Sequence, residues 1–194
     1  MSEQFLVAEM FNSHKIILVT GASSSGKSEL AEVLAQQSQK SVTYIATATI
    51  DDRDREWQAR ILKHQQRRPA SWHTITINRD LSSYLKQAQG SDCLLIDSLG
   101  TWVANLLEAE ESAWQTAKEC FLSSLQTTPA TIILVGEETG WGVVPAYPLG
   151  RLFRDRLGNL SRQVGNLADT TYLVAGGHVI DLSVLGEPLK KYGI

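Results

Sequence analysis

The chain has 194 residues, of which 43% are hydrophobic and 20% are charged, and its formal net charge at pH 7 is −3. This composition predicts an ordinary globular protein that is large enough to bury a core of its own. A slightly acidic chain has no electrostatic attraction for nucleic acid, no apolar run approaches the length of a membrane span, and two cysteines are too few for a disulfide framework. We therefore expect no nucleic-acid partner and no membrane insertion.

Residues 1–14 are predicted to be an N-terminal extension in front of a single catalytic domain, residues 15–194. The extension has no basic region, and Glu9 interrupts its apolar part, so it lacks the pattern of a signal peptide. No repeat, long linker or low-complexity block divides the rest of the chain. The expected location is cytoplasmic.

Residues 21–28 satisfy the phosphate-loop pattern G-x-x-x-x-G-K-[ST] at every specified position. An apolar run at residues 15–20 precedes them and a helical pattern at residues 29–37 follows, so backbone N–H groups and a helix N-terminus can surround phosphate oxygens. Lys27 is predicted to reach the β- and γ-phosphates as a catalytic group, and Ser28 to bind Mg²⁺. The predicted nucleotide-binding residues are Gly21, Ala22, Ser23, Ser24, Ser25, Gly26, Lys27 and Ser28.

Apolar runs alternate with helical stretches along the whole chain. This alternation predicts an α/β fold of the P-loop NTPase (RecA-like) type, with a mainly parallel sheet flanked by helices and a C-terminal antiparallel hairpin. The predicted strands are residues 15–20, 41–48, 72–77, 93–97, 131–135, 171–175 and 178–180. The predicted helices are residues 29–37, 51–68, 81–88, 99–108, 113–125 and 149–168.

His64 is a candidate catalytic residue near the end of the charged helix predicted over residues 51–68. It shares one helix face with Trp57 and Ile61, but a histidine among polar neighbours is more often solvated than catalytic. The arginines that follow, Arg67 and Arg68, are either anion ligands or cations that complement the helix dipole, and the position favours the second interpretation.

Asp97 ends the apolar strand at residues 93–97. This is the form of a Walker B segment, in which the carboxylate holds Mg²⁺ or its water, so Asp97 is predicted to bind metal and nucleotide. The loop at residues 137–145 follows another buried strand and is either a ligand-binding loop at the carboxyl edge of the sheet or an ordinary connection. The helix after it carries several arginines, most of which are expected to be solvated, while one or two could reach phosphate: Arg151, Arg154, Arg156 and Arg162.

Taken together and in order, several segments resemble one family, the bifunctional adenosylcobinamide kinase/adenosylcobinamide-phosphate guanylyltransferases of cobalamin assembly. The resemblance covers roughly residues 15–175, and the most specific parts are R-I-x-x-H with its arginines and G-x-G-x-V-P. The matching segments are GASSSGKS, YIATATIDD, RILKHQQRRP, W-x-T at residues 72–74, LLIDSLGTWVANLL, G-x-G-x-V-P at residues 140–145 and RLFRDRLGNL, with Ala168-Asp169 after it.

The resemblance implies two reactions on a corrinoid substrate. A nucleoside triphosphate, ATP or GTP, phosphorylates the aminopropanol hydroxyl of adenosylcobinamide, and GMP then passes from GTP through a histidine to the new phosphate, giving adenosylcobinamide-GDP. His64 matches that histidine. The resemblance also implies a homo-oligomer, a trimer, and these further nucleotide contacts: Ala46, Thr47, Ala48, Gln65, Gln66, Arg67, Arg68 and Asp97.

The chain departs from the family pattern at several positions. Thr76 stands where a Glu is usual, Glu137 where an Asn is usual, Ser161-Arg162 where Asn-Gln is usual, and Asp97 where some members have Glu. Two other functions are alternatives: a P-loop kinase for another small alcohol, with a structural His64, and a regulatory nucleotide-binding module without a small-molecule substrate.

Overall fold

The computed structural model describes residues 15–48 and 67–193. Seven strands of this part form one sheet in the order β3-β2-β4-β5-β1-β6-β7. The strands are β1 (Ile16–Gly21), β2 (Ser41–Ala46), β3 (His73–Thr76), β4 (Asp92–Asp97), β5 (Thr131–Glu137), β6 (Thr170–Ala175) and β7 (His178–Asp181). The helices are α1 (Lys27–Gln37), α2 (Leu81–Leu85), α3 (Leu99–Asn105), α4 (Glu111–Thr127), α5 (Pro148–Leu167) and α6 (Leu182–Leu185), followed by a 3₁₀ turn (Leu189–Tyr192).

The sheet is parallel from β3 through β6, and only β7 runs antiparallel to its neighbour. The turn between β6 and β7 is made by Gly176 and Gly177, whose φ angles of 58° and 76° lie in the left-handed region that favours glycine. The predicted α/β fold with a C-terminal antiparallel hairpin is therefore confirmed.

Two apolar layers cover the sheet, because successive residues of each strand face opposite sides. Ile17 and Val19 of β1 lie in a buried cluster with Ala31 and Ala35 of α1. Alternate residues of the same strands face the other side, where α2 to α5 supply the larger part of the core, including Trp102. Strand β1 and helix α1, which flank the phosphate loop, thus pack directly on each other and fix the loop between them.

Several helices end earlier than their sequence pattern predicts. Helix α2 ends at Leu85 rather than residue 88, and α3 ends at Asn105 rather than residue 108. In both cases apolar residues after the helix, Ala88 and Leu106, still pack on the core. The helical spacing of apolar residues in the sequence therefore extends beyond the last helical turn. The helix predicted over residues 51–68 lies outside the described residues except for its last two positions.

Of the four arginines of α5, Arg156 alone is buried. Its side chain is only 7% exposed, and its guanidinium donates to the carbonyl oxygens of Leu106 and Leu107 at 3.0 and 3.1 Å. It also forms an ion pair with Glu111 at 2.9 Å. These carbonyls follow the end of α3, where backbone acceptors lack helical partners, so Arg156 joins α3, α4 and α5 at one point.

In the described ranges, 15–48 and 67–193, no helix is both long enough and apolar enough to cross a membrane.

Candidate nucleotide-binding site

The carboxyl ends of four adjacent parallel strands form one edge of the sheet. Gly21 at the end of β1 lies opposite Glu137 at the end of β5, and Asp97 at the end of β4 lies opposite Ala46 at the end of β2. Parallel sheets bind ligands at this edge. The strand order therefore brings the phosphate loop, two acids and the predicted contact at Ala46 to the same side of the molecule.

The loop after β1 has the backbone shape that a phosphate cradle requires. Ser24 and Gly26 have φ angles of 58° and 96°, and a Cβ added at Gly21 would lie 2.5 Å from the carbonyl oxygen of Val174. The hydroxyl of Ser25 is buried without a hydrogen-bond partner in the described part of the chain. A buried polar atom of this kind is expected to meet a bound group or water, so the loop is built to hold an acceptor.

Lys27 and Ser28 open helix α1, where N–H groups point out of the helix without intrahelical partners. Both residues are 8% exposed. The Lys27 ammonium donates to the carbonyl oxygen of Ala22 at 3.1 Å, so it folds back over the loop. Ala22, Ser23 and Ser24 are exposed and leave the loop accessible from solvent.

Asp97 has a partner that its sequence motif does not indicate. The Tyr44 hydroxyl donates to its Oδ2 atom at 2.8 Å, while no described residue donates to Oδ1. The carbon atom of the Arg68 guanidinium lies 3.2 Å from the centre of the Tyr44 ring. Tyr44 therefore contacts both Asp97 and Arg68, two of the predicted nucleotide-binding residues.

Arg67 is paired with two acids of helix α1. Its guanidinium donates to Glu29 and lies 3.3 Å from both carboxylate oxygens of Glu32. The Glu32 side chain is only 12% exposed, and this burial raises the pKa of its carboxyl although Arg67 acts in the opposite direction. Arg67 therefore attaches the described end of its segment to the helix that follows the phosphate loop.

Glu137 and Glu138 are site-edge residues that the sequence analysis did not place among the candidate ligands. Glu137 accepts hydrogen bonds from the Ser98 hydroxyl and, at 2.8 Å, from the Gly100 N–H, and a side chain at position 100 would collide with it. Glu138 accepts from the Thr20 hydroxyl at 2.7 Å. The signal in the sequence was two consecutive acids directly after a buried strand.

Thr47, a predicted nucleotide contact, is fully buried and hydrogen-bonded within the protein. Its hydroxyl donates to the Ser98 carbonyl at 2.7 Å and accepts from the Ser98 N–H at 2.8 Å. Its own carbonyl accepts from Asn105 at 2.6 Å. The side chain of Thr47 thus fixes the turn after Asp97, and the neighbouring positions Ala46 and Ala48 are partly exposed.

Two sets of positions named in the sequence analysis remain: three predicted site residues and one departure from the family pattern. His64, Gln65 and Gln66 lie outside the described residues, so their placement is not part of the site described here. Thr76 is exposed at the end of the edge strand β3, on the same side of the sheet as Ala46, its register partner.

Comparison with known proteins assigns the family. Residues 17–182 match the family described as cobinamide kinase / cobinamide phosphate guanyltransferase. The chain belongs to this family. It is 39% identical to the bifunctional adenosylcobalamin biosynthesis protein CobP of Pseudomonas aeruginosa over 89% of this chain and 98% of that protein. It is 35% identical to the bifunctional adenosylcobalamin biosynthesis protein CobU of Salmonella typhimurium over 84% of this chain and 96% of that protein.

Solved structures agree with the fold. The ATP synthase subunit NeqB of Nanoarcheaum equitans superimposes with a TM-score of 0.51 at 11% identity, over 93% of this chain and 54% of that one. This likeness concerns the fold alone. As a member of the cobinamide kinase / cobinamide phosphate guanyltransferase family, the chain is a nucleotide-using transferase of cobalamin biosynthesis, which favours the first of the three functions considered above.

The residues of the edge fit a nucleoside triphosphate with Mg²⁺. The unpaired Ser25 hydroxyl, the first N–H groups of α1 and the Lys27 ammonium are all donors, as phosphate oxygens require. Mg²⁺ prefers oxygen ligands and keeps several waters, and the Ser28 hydroxyl and the Asp97 carboxylate supply oxygens of this kind.

Glu137 leads to a prediction about pH. Burial raises the pKa of its carboxyl, and nearby Asp97 adds to this effect, while the Ser98 hydroxyl, Lys27 and the Gly100 N–H oppose it. The folded state therefore binds this proton more tightly than the unfolded state, whose Glu pKa is about 4.3. The resulting stabilisation is fully present below that pH and is lost as the pH rises through the higher pKa of the folded state.

The Glu137→Gln variant cannot ionise and lacks this pH dependence. Its free energy of unfolding, minus that of the wild type, should increase from pH 4 upwards and level off once Glu137 is ionised in the folded protein. Urea denaturation at a series of pH values measures this difference. Glu119→Gln, at an exposed position of α4, is the control for replacing a surface carboxyl by an amide. A difference for Glu137→Gln that does not change with pH would contradict the prediction.

Proposed function

We propose that this chain carries out both reactions of its family: phosphorylation of adenosylcobinamide by ATP or GTP, and transfer of GMP from GTP to the product through His64. The observation that carries the proposal is the match to the family over residues 17–182, together with a phosphate loop whose geometry suits a triphosphate. The corrinoid follows from the family, and the nucleotide and Mg²⁺ follow from the loop and the acid at the end of β4.

In the kinase reaction, the aminopropanol oxygen attacks the γ-phosphorus and the nucleoside diphosphate leaves. Residues 21–28 bind the phosphates, and Lys27 stabilises the charge that develops on the β- and γ-phosphate oxygens. Ser28 and Asp97 would hold Mg²⁺, which supplies further charge neutralisation between the phosphates when it is bound. The assignment is supported by the burial of Lys27 and Ser28 beneath an open loop.

In the guanylyl transfer, a neutral imidazole nitrogen of His64 attacks the α-phosphorus of GTP, a phosphorus–nitrogen bond forms and pyrophosphate leaves. A phosphate oxygen of adenosylcobinamide phosphate then attacks the same phosphorus, the bond to His64 breaks, and adenosylcobinamide-GDP is released. Because His64 precedes Arg67 by three residues, chain connectivity limits the distance between their Cα atoms to about 11 Å, and Arg67 is bound to the helix after the phosphate loop.

The remaining predicted contacts are assigned to GTP in the same proposal. They are Ala46, Thr47, Ala48, Gln65, Gln66, Arg67, Arg68 and Asp97. Since the Thr47 side chain is hydrogen-bonded internally, we expect this residue to act by shaping the backbone of its neighbours. Since Arg67 is bound to two acids, we expect Arg68 to be the stronger anion ligand of the pair.

A homo-oligomer, a trimer, is also part of the proposal. A run of large apolar side chains after β5 is exposed: Trp141 by 71%, Val143 by 93%, Val144 by 60% and Tyr147 by 80%. Large apolar side chains exposed together in one loop are typical of an interaction site. It supports self-association through this loop.

Lys27→Ala should lower the rate of phosphoryl transfer to adenosylcobinamide on the order of 10²–10³-fold, the loss expected when one donor to transition-state charge is removed. The measurement is transfer of label from γ-labelled ATP or GTP to the corrinoid. Lys86→Ala, at an exposed position after α2, serves as the control and should keep the wild-type rate. Undiminished transfer by Lys27→Ala would remove the lysine from the reaction.

His64→Ala should form no protein adduct with α-labelled GTP, whereas the wild type should form one that is labile in acid and stable in base, as a phosphoramidate is. The same variant should keep its kinase activity, because the kinase reaction does not use the imidazole. His73→Ala, an exposed histidine of β3, should label normally. Labelling of His64→Ala would show that another residue accepts the guanylyl group.

The solution mass should be about three times the 21.4 kDa of the chain, and Val143→Asp should lower it, because a charge in a desolvated apolar contact is costly. Light scattering after size-exclusion chromatography at micromolar concentration measures both. A monomer mass for the wild type would contradict the proposed oligomer. An unchanged mass for Val143→Asp would show that the interface lies elsewhere.

A further inference from the structure

Tyr44 is a buried residue of β2 that connects two groups of the proposed nucleotide site. Only 4% of it is exposed. Its hydroxyl donates to Asp97 Oδ2 at 2.8 Å, and its ring lies 3.2 Å from the central carbon of the Arg68 guanidinium. No step of the proposed reactions uses this side chain directly.

We propose that Tyr44 is a positioning residue: its hydroxyl orients the Asp97 carboxylate for Mg²⁺, and its ring orients the Arg68 guanidinium for the nucleotide. The inference rests on the proposed function, because Asp97 and Arg68 have these roles only if the edge of the sheet binds a nucleotide with its cation. Tyr44 then becomes a further residue of the site, and the effects of its hydroxyl and of its ring can be measured separately.

The hydroxyl part concerns the orientation of Asp97. A hydrogen bond to a carboxylate is short and strong, and this one holds Oδ2 while no described residue donates to Oδ1. The Tyr44 hydroxyl is the donor in this hydrogen bond, because an ionised carboxylate can only accept. Groups that hydrogen-bond a metal ligand fix its direction, and their removal typically weakens metal binding by about 10–100-fold.

The ring part concerns Arg68. The N–H groups of a guanidinium lie in its own plane. When the guanidinium stacks on an aromatic face, they stay free to bind an anion at its edge. The Nε atom of Arg68 is buried and has no hydrogen-bond partner among residues 15–48 and 67–193. Buried donors are rarely left unpaired, so this atom is available to an acceptor on a bound ligand.

The ion pairs of Arg67 help to hold Arg68 against the Tyr44 ring. Arg67 is attached to Glu29 and Glu32 on α1, while Arg68 rests on Tyr44 of β2. The side chains of these two consecutive arginines are thus held by different elements, α1 and β2. A guanidinium held in this way loses less rotational freedom when it binds a phosphate or a base.

The test separates the two parts by equilibrium binding of a fluorescent GTP analogue, with Mg²⁺ varied. Tyr44→Phe removes only the hydroxyl, so it should raise the Mg²⁺ concentration at the binding midpoint by roughly 10-fold and leave Mg²⁺-free affinity unchanged. Arg68→Met keeps the hydroxyl, so it should weaken Mg²⁺-free binding and leave the Mg²⁺ midpoint unchanged. Tyr172→Phe, a partly buried tyrosine packed against the same apolar cluster, should change neither.

Three outcomes would overturn the inference. The first is a Mg²⁺ midpoint in Tyr44→Phe equal to that of the wild type. If the melting temperature falls while the midpoint stays the same, the role of Tyr44 is structural only. The second is a loss of Mg²⁺-free affinity in Tyr44→Phe equal to that in Arg68→Met. The third is unchanged binding by Arg68→Met. Failure of the wild type to bind the analogue at all would instead contradict the proposed function itself.

Discussion

Parallel pairing of β2, β4, β5 and β1 is the constraint on which the site depends. In a parallel sheet the carboxyl ends of neighbouring strands lie at one edge, and the register places Gly21 opposite Glu137 and Ala46 opposite Asp97. A shift of one residue in this register would move alternate side chains to the opposite face of the sheet and separate these groups.

The same edge gathers three carboxylates beside a predicted phosphate site, which would repel a triphosphate if they were free. Each has a donor of its own: Tyr44 for Asp97, Ser98 and the Gly100 N–H for Glu137, and Thr20 for Glu138. Hydrogen bonds of this kind spread the negative charge into the protein. They also explain how a Glu is accommodated at position 137, where the family pattern has Asn: one carboxylate accepts from two donors at the start of α3, and Gly100 leaves the space it needs.

Local patterns predicted the parts of the site that are local in the chain. The phosphate loop needs a strand, small residues and a helix in immediate succession, and all are visible in the sequence, as is the acid that ends β4. The partners of these residues depend on strand order, which periodicity does not specify. Tyr44 has the pattern of a core residue of β2, and only the adjacency of β2 and β4 makes its hydroxyl a partner of Asp97. The burial of Arg156 likewise depends on where α3 ends, which periodicity does not specify.

One loop can serve both proposed reactions because both leaving groups gain charge on the β-phosphate. In phosphoryl transfer the charge builds on the oxygen that joined the β- and γ-phosphates, and in guanylyl transfer it builds on the oxygen that joined the α- and β-phosphates. In the proposed site, Lys27 at the β- and γ-phosphates would stabilise either one. What distinguishes the reactions is therefore the nucleophile that approaches the bound triphosphate. In the proposal Tyr44 and Arg68 act on the bound nucleotide and its cation, so substitutions of these two residues should slow both reactions, whereas His64→Ala should stop guanylyl transfer alone.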